Sequence, residues 1–168
     1  MLDRQGRRRR LRDPERTREV LLRAGFREVH RLGFRSAGLD TILAVTGVTK
    51  GALYHPFSSK KALGNAIVEE VIASSLRDKW LLPFRSGVDP IDTLIGILQA
   101  TSLQPGVVRA GCPLNNLAQE MSPVDERFRK CLAKVFHDWR EGTVAALLRG
   151  QSEGTVRRTW TRATLPAF

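Results

Sequence analysis

Three observations predict an all-α fold. Three segments set a capping side chain before a proline, at Asp13-Pro14-Glu15, Asp89-Pro90-Ile91-Asp92 and Ser122-Pro123-Val124-Asp125, where a helix starts at no cost in backbone donors. Apolar residues recur at helical spacing through most of the 168-residue chain. Nowhere do apolar and polar residues alternate around a hairpin turn.

The first helix is expected from Pro14 to Leu32, stopped by Gly33. Its apolar stripe is Leu21, Leu22, Gly25, Phe26 and Val29, and Gly25 should cost about 1 kcal/mol relative to alanine unless another helix packs close there. Two short helices, Leu39 to Thr46 and Thr49 to about Phe57, hinge at Gly47. A longer helix runs from Ser59 towards Leu82, with Leu63, Ile67 and Val71 on one face, and Pro83 stops it. Asp89 to Leu103 makes the next, before Gln104-Pro105-Gly106. Leu114 to Met121 follows the turn Gly111-Cys112-Pro113. Ser122 to about Arg149 is the longest, with Phe128, Leu132, Val135, Phe136, Trp139, Thr143 and Leu147 inward and Gly150 and Gly154 near its end.

Composition narrows the function classes. At 42% hydrophobic the chain can bury a core. No apolar run reaches the roughly 20 residues that span a bilayer, and the basic first twelve residues lead into no apolar stretch, so no membrane or signal segment is expected. Two cysteines cannot build a disulfide framework, and no Cys/His cluster has metal spacing. The expectation is a soluble cytoplasmic protein with reduced thiols, no metal and no cofactor. The net charge of +11 is concentrated: residues 1–61 carry +9 and residues 62–154 carry −1. That asymmetry fits a nucleic-acid-binding module on a neutral body, and fits equally a solubilising surface with an arginine-rich start.

The stretch from Leu39 to Phe57 has the layout of a helix-turn-helix. Ile42 anchors the first helix, Gly47 permits the left-handed turn, and Val48 and Leu53 hold the second helix. Thr49 is placed to cap that second helix, whose free N–H groups, with Lys50, suit phosphates at the edge of a major groove.

The residues Gly33-Phe34, Leu39-Asp40-x-Ile42, Gly47-Val48-Thr49-Lys50-Gly51-Ala52-Leu53-Tyr54 and Phe57-x-Ser59-Lys60-x-x-Leu63 together resemble the TetR family of bacterial transcriptional repressors over about residues 15 to 65. Gly111-Cys112-Pro113-Leu114-x-Asn116-Leu117-Ala118-x-Glu120 and the helix after it resemble the regulatory domain of one subgroup. The resemblance implies a ligand-responsive repressor and a homodimer reading a palindromic double-stranded operator. It also implies an α-helical second domain whose small-molecule effector, of unknown identity, releases the DNA. Carried over by position, Thr49 and Lys50 touch phosphates, Gly51 and Ala52 let the helix approach the bases, Tyr54 and His55 contact phosphate or a base edge, and Lys60 clamps the backbone from the other side. Each also has a plainer role open to it: Thr49 as a cap, Tyr54 as a packing residue, Lys60 and Lys61 as solvated charge. Arg7 to Arg10 and Arg12 form a basic arm able to lie along phosphates or simply to stay in solvent.

Four departures bear on activity. Pro56 stands where the family usually has His, and biases His55 away from helical geometry. Leu43 replaces a small alanine at the helix crossing, Ala37-Gly38 replaces a capping hydroxyl pair, and Glu28 falls on a normally apolar face. Past Gly154 the basic, threonine-rich sequence shows no two-helix pattern. The last two helices, which form most of the family's dimer surface, are therefore expected to be missing: either the chain is a truncated or frameshifted member, or it pairs through its long helix. Exposure of the Phe128 to Leu147 stripe and of Trp160 would follow.

The expected organisation is a basic arm (1–13), a three-helix DNA-binding domain (14–58), a helical regulatory and dimerisation domain (59–154) and an irregular tail (155–168). No nucleophile-and-base arrangement points to an enzyme. Trp80, Asn115, Asn116 and Trp139 are candidates to line an effector pocket. Cys112, before a helix N-terminus, is a candidate redox sensor, and Cys131 a buried small hydrophobe. Two other classes stay open: a truncated paralogue that binds ligand or partner helices without an operator, and a nonspecific basic nucleic-acid binder.

Overall fold

A computed structural model describes residues 13–102 and 109–158, in which seven helices and no strand occur. They fall into two compact units divided between Gly64 and Asn65. Arg7 to Arg10, Arg12, Gln104-Pro105-Gly106 and Trp160 lie outside the described residues.

The first unit is built on α1, Pro14–Leu32. Asp13 accepts the N–H of Arg16 at 3.1 Å, Pro14 takes the first helical position, and Gly33 ends the helix where the sequence places the stop. Leu21, Leu22, Ala24, Gly25, Glu28 and Val29 are buried. Phe26 is half-buried, stacked on His30 with centroids 5.7 Å apart. The carboxylate of Glu28, out of place on this face, is held by the exposed guanidinium of Arg31 at 3.0–3.3 Å, so the buried acid has its countercharge at the surface.

Helix α2, Leu39–Thr46, roots through Ile42, and Leu43 fits in a half-buried place beside it. Gly47, at φ 65°, closes α2 by donating its N–H to the Leu43 carbonyl at 2.9 Å. Helix α3 is Lys50–Tyr54, shorter than the predicted run to Phe57. Pro56 has no N–H to extend it, yet His55 keeps right-handed helical angles, contrary to the bias expected of a residue before proline. The Phe57 N–H reaches over that gap to the Leu53 carbonyl at 3.2 Å and fixes the exit of the chain. Leu21, Ile42, Leu53, Phe57 and Leu63, none more than 2% exposed, form the core of this unit.

Helix α4 begins at Lys60, with the Ser59 hydroxyl accepting the Ala62 N–H at 3.0 Å. It runs α-helical over Lys60–Ala66, widens into π turns over Ile67–Ile72, returns to α over Ala73–Leu76, widens again over Arg77–Leu81 and ends in a 3-10 turn, Leu82–Arg85. Widening moves the buried face: Leu63, Ile67, Val68 and Ile72 are buried, whereas Val71, predicted inward from a four-residue step, is half-buried.

The second unit adds α5 (Pro90–Ser102), α6 (Pro113–Met121) and α7 (Glu126–Glu153). Asp89 caps α5 by accepting the N–H groups of Ile91 at 2.7 Å and Asp92 at 3.2 Å. The cap of helix α7 lies three residues later than predicted, at Asp125 rather than Ser122, accepting from Arg127 and Phe128 at 3.0 and 3.1 Å. It packs on both π-wound stretches of α4, on α5 and on α6. Phe128, Leu132 and Val135 of its predicted inward stripe are buried, while Phe136, Trp139, Thr143 and Leu147 are half-buried, so the stripe expected to be exposed is buried towards its start and partly covered beyond. At Gly142 an added Cβ would stand 2.7 Å from Cδ2 of Leu81, so only glycine leaves that leucine its place. Farther along, Arg149 donates to the Phe84 carbonyl at 2.6 Å, tying α7 to the end of α4.

Candidate nucleic-acid interface

The predicted contact residues gather on α3 and its two ends. Leu53, fully buried, roots the helix from one side. Thr49, Lys50, Gly51, Tyr54 and His55 are exposed on the rest of its surface, and Ala52 is half-buried. The Thr49 hydroxyl accepts the Ala52 N–H at 3.3 Å, so it caps α3 without any nucleic acid present. A Cβ at Gly51 would meet nothing within 4 Å. The fold therefore has no need of glycine there, although it weakens a five-residue helix. Space left open on an exposed helix face suits close approach by a partner's surface.

Lys60 is placed differently from the expectation. Half-buried, it donates from Nζ to the Arg35 carbonyl at 3.1 Å and stands 5.0 Å from the centroid of the Phe34 ring. On α1 a second cation, Arg18, lies 5.3 Å over the ring of Phe57, the residue that fixes the exit from α3. Neither Arg18 nor Arg35 stands out in the sequence, where both read as ordinary surface charge. The available signal was that Arg35 follows the buried Phe34 in the turn between α1 and α2.

In the second unit Trp80 and Trp139 meet edge to face, centroids 4.9 Å apart, both half-buried. Asn115 and Asn116 are exposed on α6, and the Asn116 amide donates to the Ala110 carbonyl at 2.8 Å, where it holds the turn before that helix. The tryptophans thus form a pair, and the asparagines stay on the surface. Among the described residues two buried side-chain oxygens, Asn65 Oδ1 and Thr93 Oγ1, have no hydrogen-bond partner, and no pattern in the sequence marks either. Cys112 is exposed at the cap of α6. Cys131 is buried, and its thiol donates to Glu69 Oε1 at 2.9 Å. Burial, together with the Glu69 carboxylate, pushes that thiol up to about 11. Among the described residues no His/Cys/Asp/Glu group could hold a metal ion, and no helix is long and apolar enough to cross a membrane.

Comparison with known proteins finds the same two-part division. Residues 21–67 match the family described as bacterial regulatory proteins, tetR family, and residues 88–165 match the tetracyclin repressor-like C-terminal domain. The chain is 31% identical over 159 residues to the transcriptional regulator AcuR of Cereibacter sphaeroides, covering 91% of this chain and 71% of that one. It is 26% identical over 148 residues to the HTH-type transcriptional repressor DhaR of Mycobacterium sp. (strain GP1), covering 84% and 70%. The crystal structure of a regulatory protein TetR from Rhodobacter sphaeroides superposes with a TM-score of 0.74 at 28% identity, over 86% of this chain and 77% of that one.

Proposed function

The chain belongs to the TetR family of bacterial transcriptional regulators, and from that premise we propose that it is a repressor whose α3 enters the major groove of a palindromic operator. Thr49 and Lys50 meet phosphates, Gly51 and Ala52 bring the helix backbone up to the bases, and Tyr54 and His55 contact phosphate or base edges. The observation that carries this reading is Gly51, kept on an exposed helix where the fold leaves room for any side chain. Two copies, as a homodimer, would read half-sites about 34 Å apart. The protein works in the cytoplasm, where its DNA lies.

The second unit takes up the small-molecule effector. Support comes from the half-buried Trp80–Trp139 pair, an apolar platform. Cys112, exposed at the start of α6, is the candidate for a redox signal.

Selection from a random duplex library followed by gel shift tests the DNA reading. A palindromic site that outcompetes bulk DNA is expected. Binding without preference over competitor DNA would favour a nonspecific basic binder, and no binding at all an interaction protein.

A further inference from the structure

Lys60 heads α4, where the family pattern has a lysine clamp the DNA backbone, but here its ammonium is turned onto its own chain. Nζ donates to the carbonyl of Arg35, 25 residues earlier, at 3.1 Å, and lies 5.0 Å from the centroid of the Phe34 ring. A lysine ammonium is strongly hydrated, and a half-buried one that exchanges water for a carbonyl and a ring face is fixed by what it touches. What Lys60 touches is the turn between α1 and α2. Phe34 plugs that turn into the core at 6% exposure, Lys60 holds the next carbonyl, and the side chain of Arg35 remains exposed. A helix-turn-helix lays its first helix across the sugar-phosphate backbone, and this turn leads directly into α2.

Resting on the reading of this unit as the DNA-binding domain, we propose that Arg35 makes a phosphate contact and that Lys60 is a positioning residue that acts through it. Lys60 fixes the peptide from which Arg35 extends, and the planar guanidinium of Arg35 takes phosphate oxygens in pairs. One contact is thereby shared between two residues.

The salt dependence of binding separates this arrangement from two independent contacts, since each phosphate neutralised contributes about 0.9 to the slope of log K against log salt. The full chain and a duplex enriched by selection serve for the measurement, with melting curves to show that each variant is folded. In a dimer each substitution acts at both half-sites, so Arg35→Gln should lower the slope by about 1.8. Lys60→Met, which keeps the stem against Phe34, should weaken binding, and Lys60→Arg should restore it in part. In the Arg35→Gln background Lys60→Met should leave the slope where Arg35→Gln put it. A double variant that loses about 3.6 would mean that Lys60 makes its own contact and overturns the proposal, as would an unchanged slope in Arg35→Gln alone. If the wild-type chain binds no duplex, the DNA-binding reading itself fails, a result distinct from either.

Discussion

Cys131 on α7 donates its thiol proton to Glu69 on the first π-wound stretch of α4, at 2.9 Å. The contact joins the longest helix of the second unit to a segment whose winding departs from the α-helix. It also sets the chemistry of the two thiols apart.

At about pH 8 a thiol at about 11 is thiolate in only about one molecule in a thousand. Iodoacetamide should label the exposed Cys112 in the native protein and leave the buried Cys131 unmodified until denaturant is added, as read by mass spectrometry of peptides. Native labelling of Cys131 at a comparable rate would contradict the burial and the Glu69 contact. Because folding raises the Cys131 value, its contribution is fully present below the unfolded value of about 9 and is lost as pH rises through about 11. Thermal stability should fall across that window, and less steeply in Cys131→Val.

Asp125 accepts two N–H groups at the start of α7, a place the sequence pattern assigned to Ser122. Asp125→Ala should destabilise the second unit by about 1 kcal/mol in chemical denaturation, and Ser122→Ala should change it by only a few tenths. The reverse order would restore the earlier helix start.

That cap shows where the fold was legible and where it was not. Helix α1 has one capping acid and one stop, Asp13 and Gly33, so both bounds follow from local chemistry. Before α7 both Ser122 and Asp125 can cap, and the choice falls to the turn in which the Met121 carbonyl accepts the N–H groups of Val124 and Asp125. Widening of α4 has no sequence signature, because Val68 and Ile72 are as apolar as the Val71 that a regular helix would bury. At the candidate interface the exposure of Thr49, Lys50, Gly51, Tyr54 and His55 agrees with the motif. The placement of Lys60 does not, since its contact with the Arg35 carbonyl depends on how the α1–α2 turn closes.

Gly142 admits Leu81, the last residue of the second π-wound stretch. Gly142→Ala gains about 1 kcal/mol in helix propensity but pushes a Cβ against the flexible end of Leu81, so its melting temperature should move little. Gly142→Val cannot be accommodated by a small shift and should cost about 1–3 kcal/mol as an overpacked core. A valine variant that melts with the wild type would show that α7 and α4 lie farther apart there.

Gly51 separates stability from function most sharply. Alanine fits its open surroundings and suits a helix better than glycine, so Gly51→Ala should stabilise the first unit by about 0.5–1 kcal/mol. If α3 lies against base edges, the added methyl group occupies the space the DNA needs, and affinity for the selected duplex should drop at least tenfold, about 1.4 kcal/mol. A structural glycine would give the opposite pattern, with stability lost and the affinity of the remaining folded protein unchanged. Melting curves and gel shifts on one preparation read both quantities. A variant that is more stable and binds equally well would remove Gly51 from the interface.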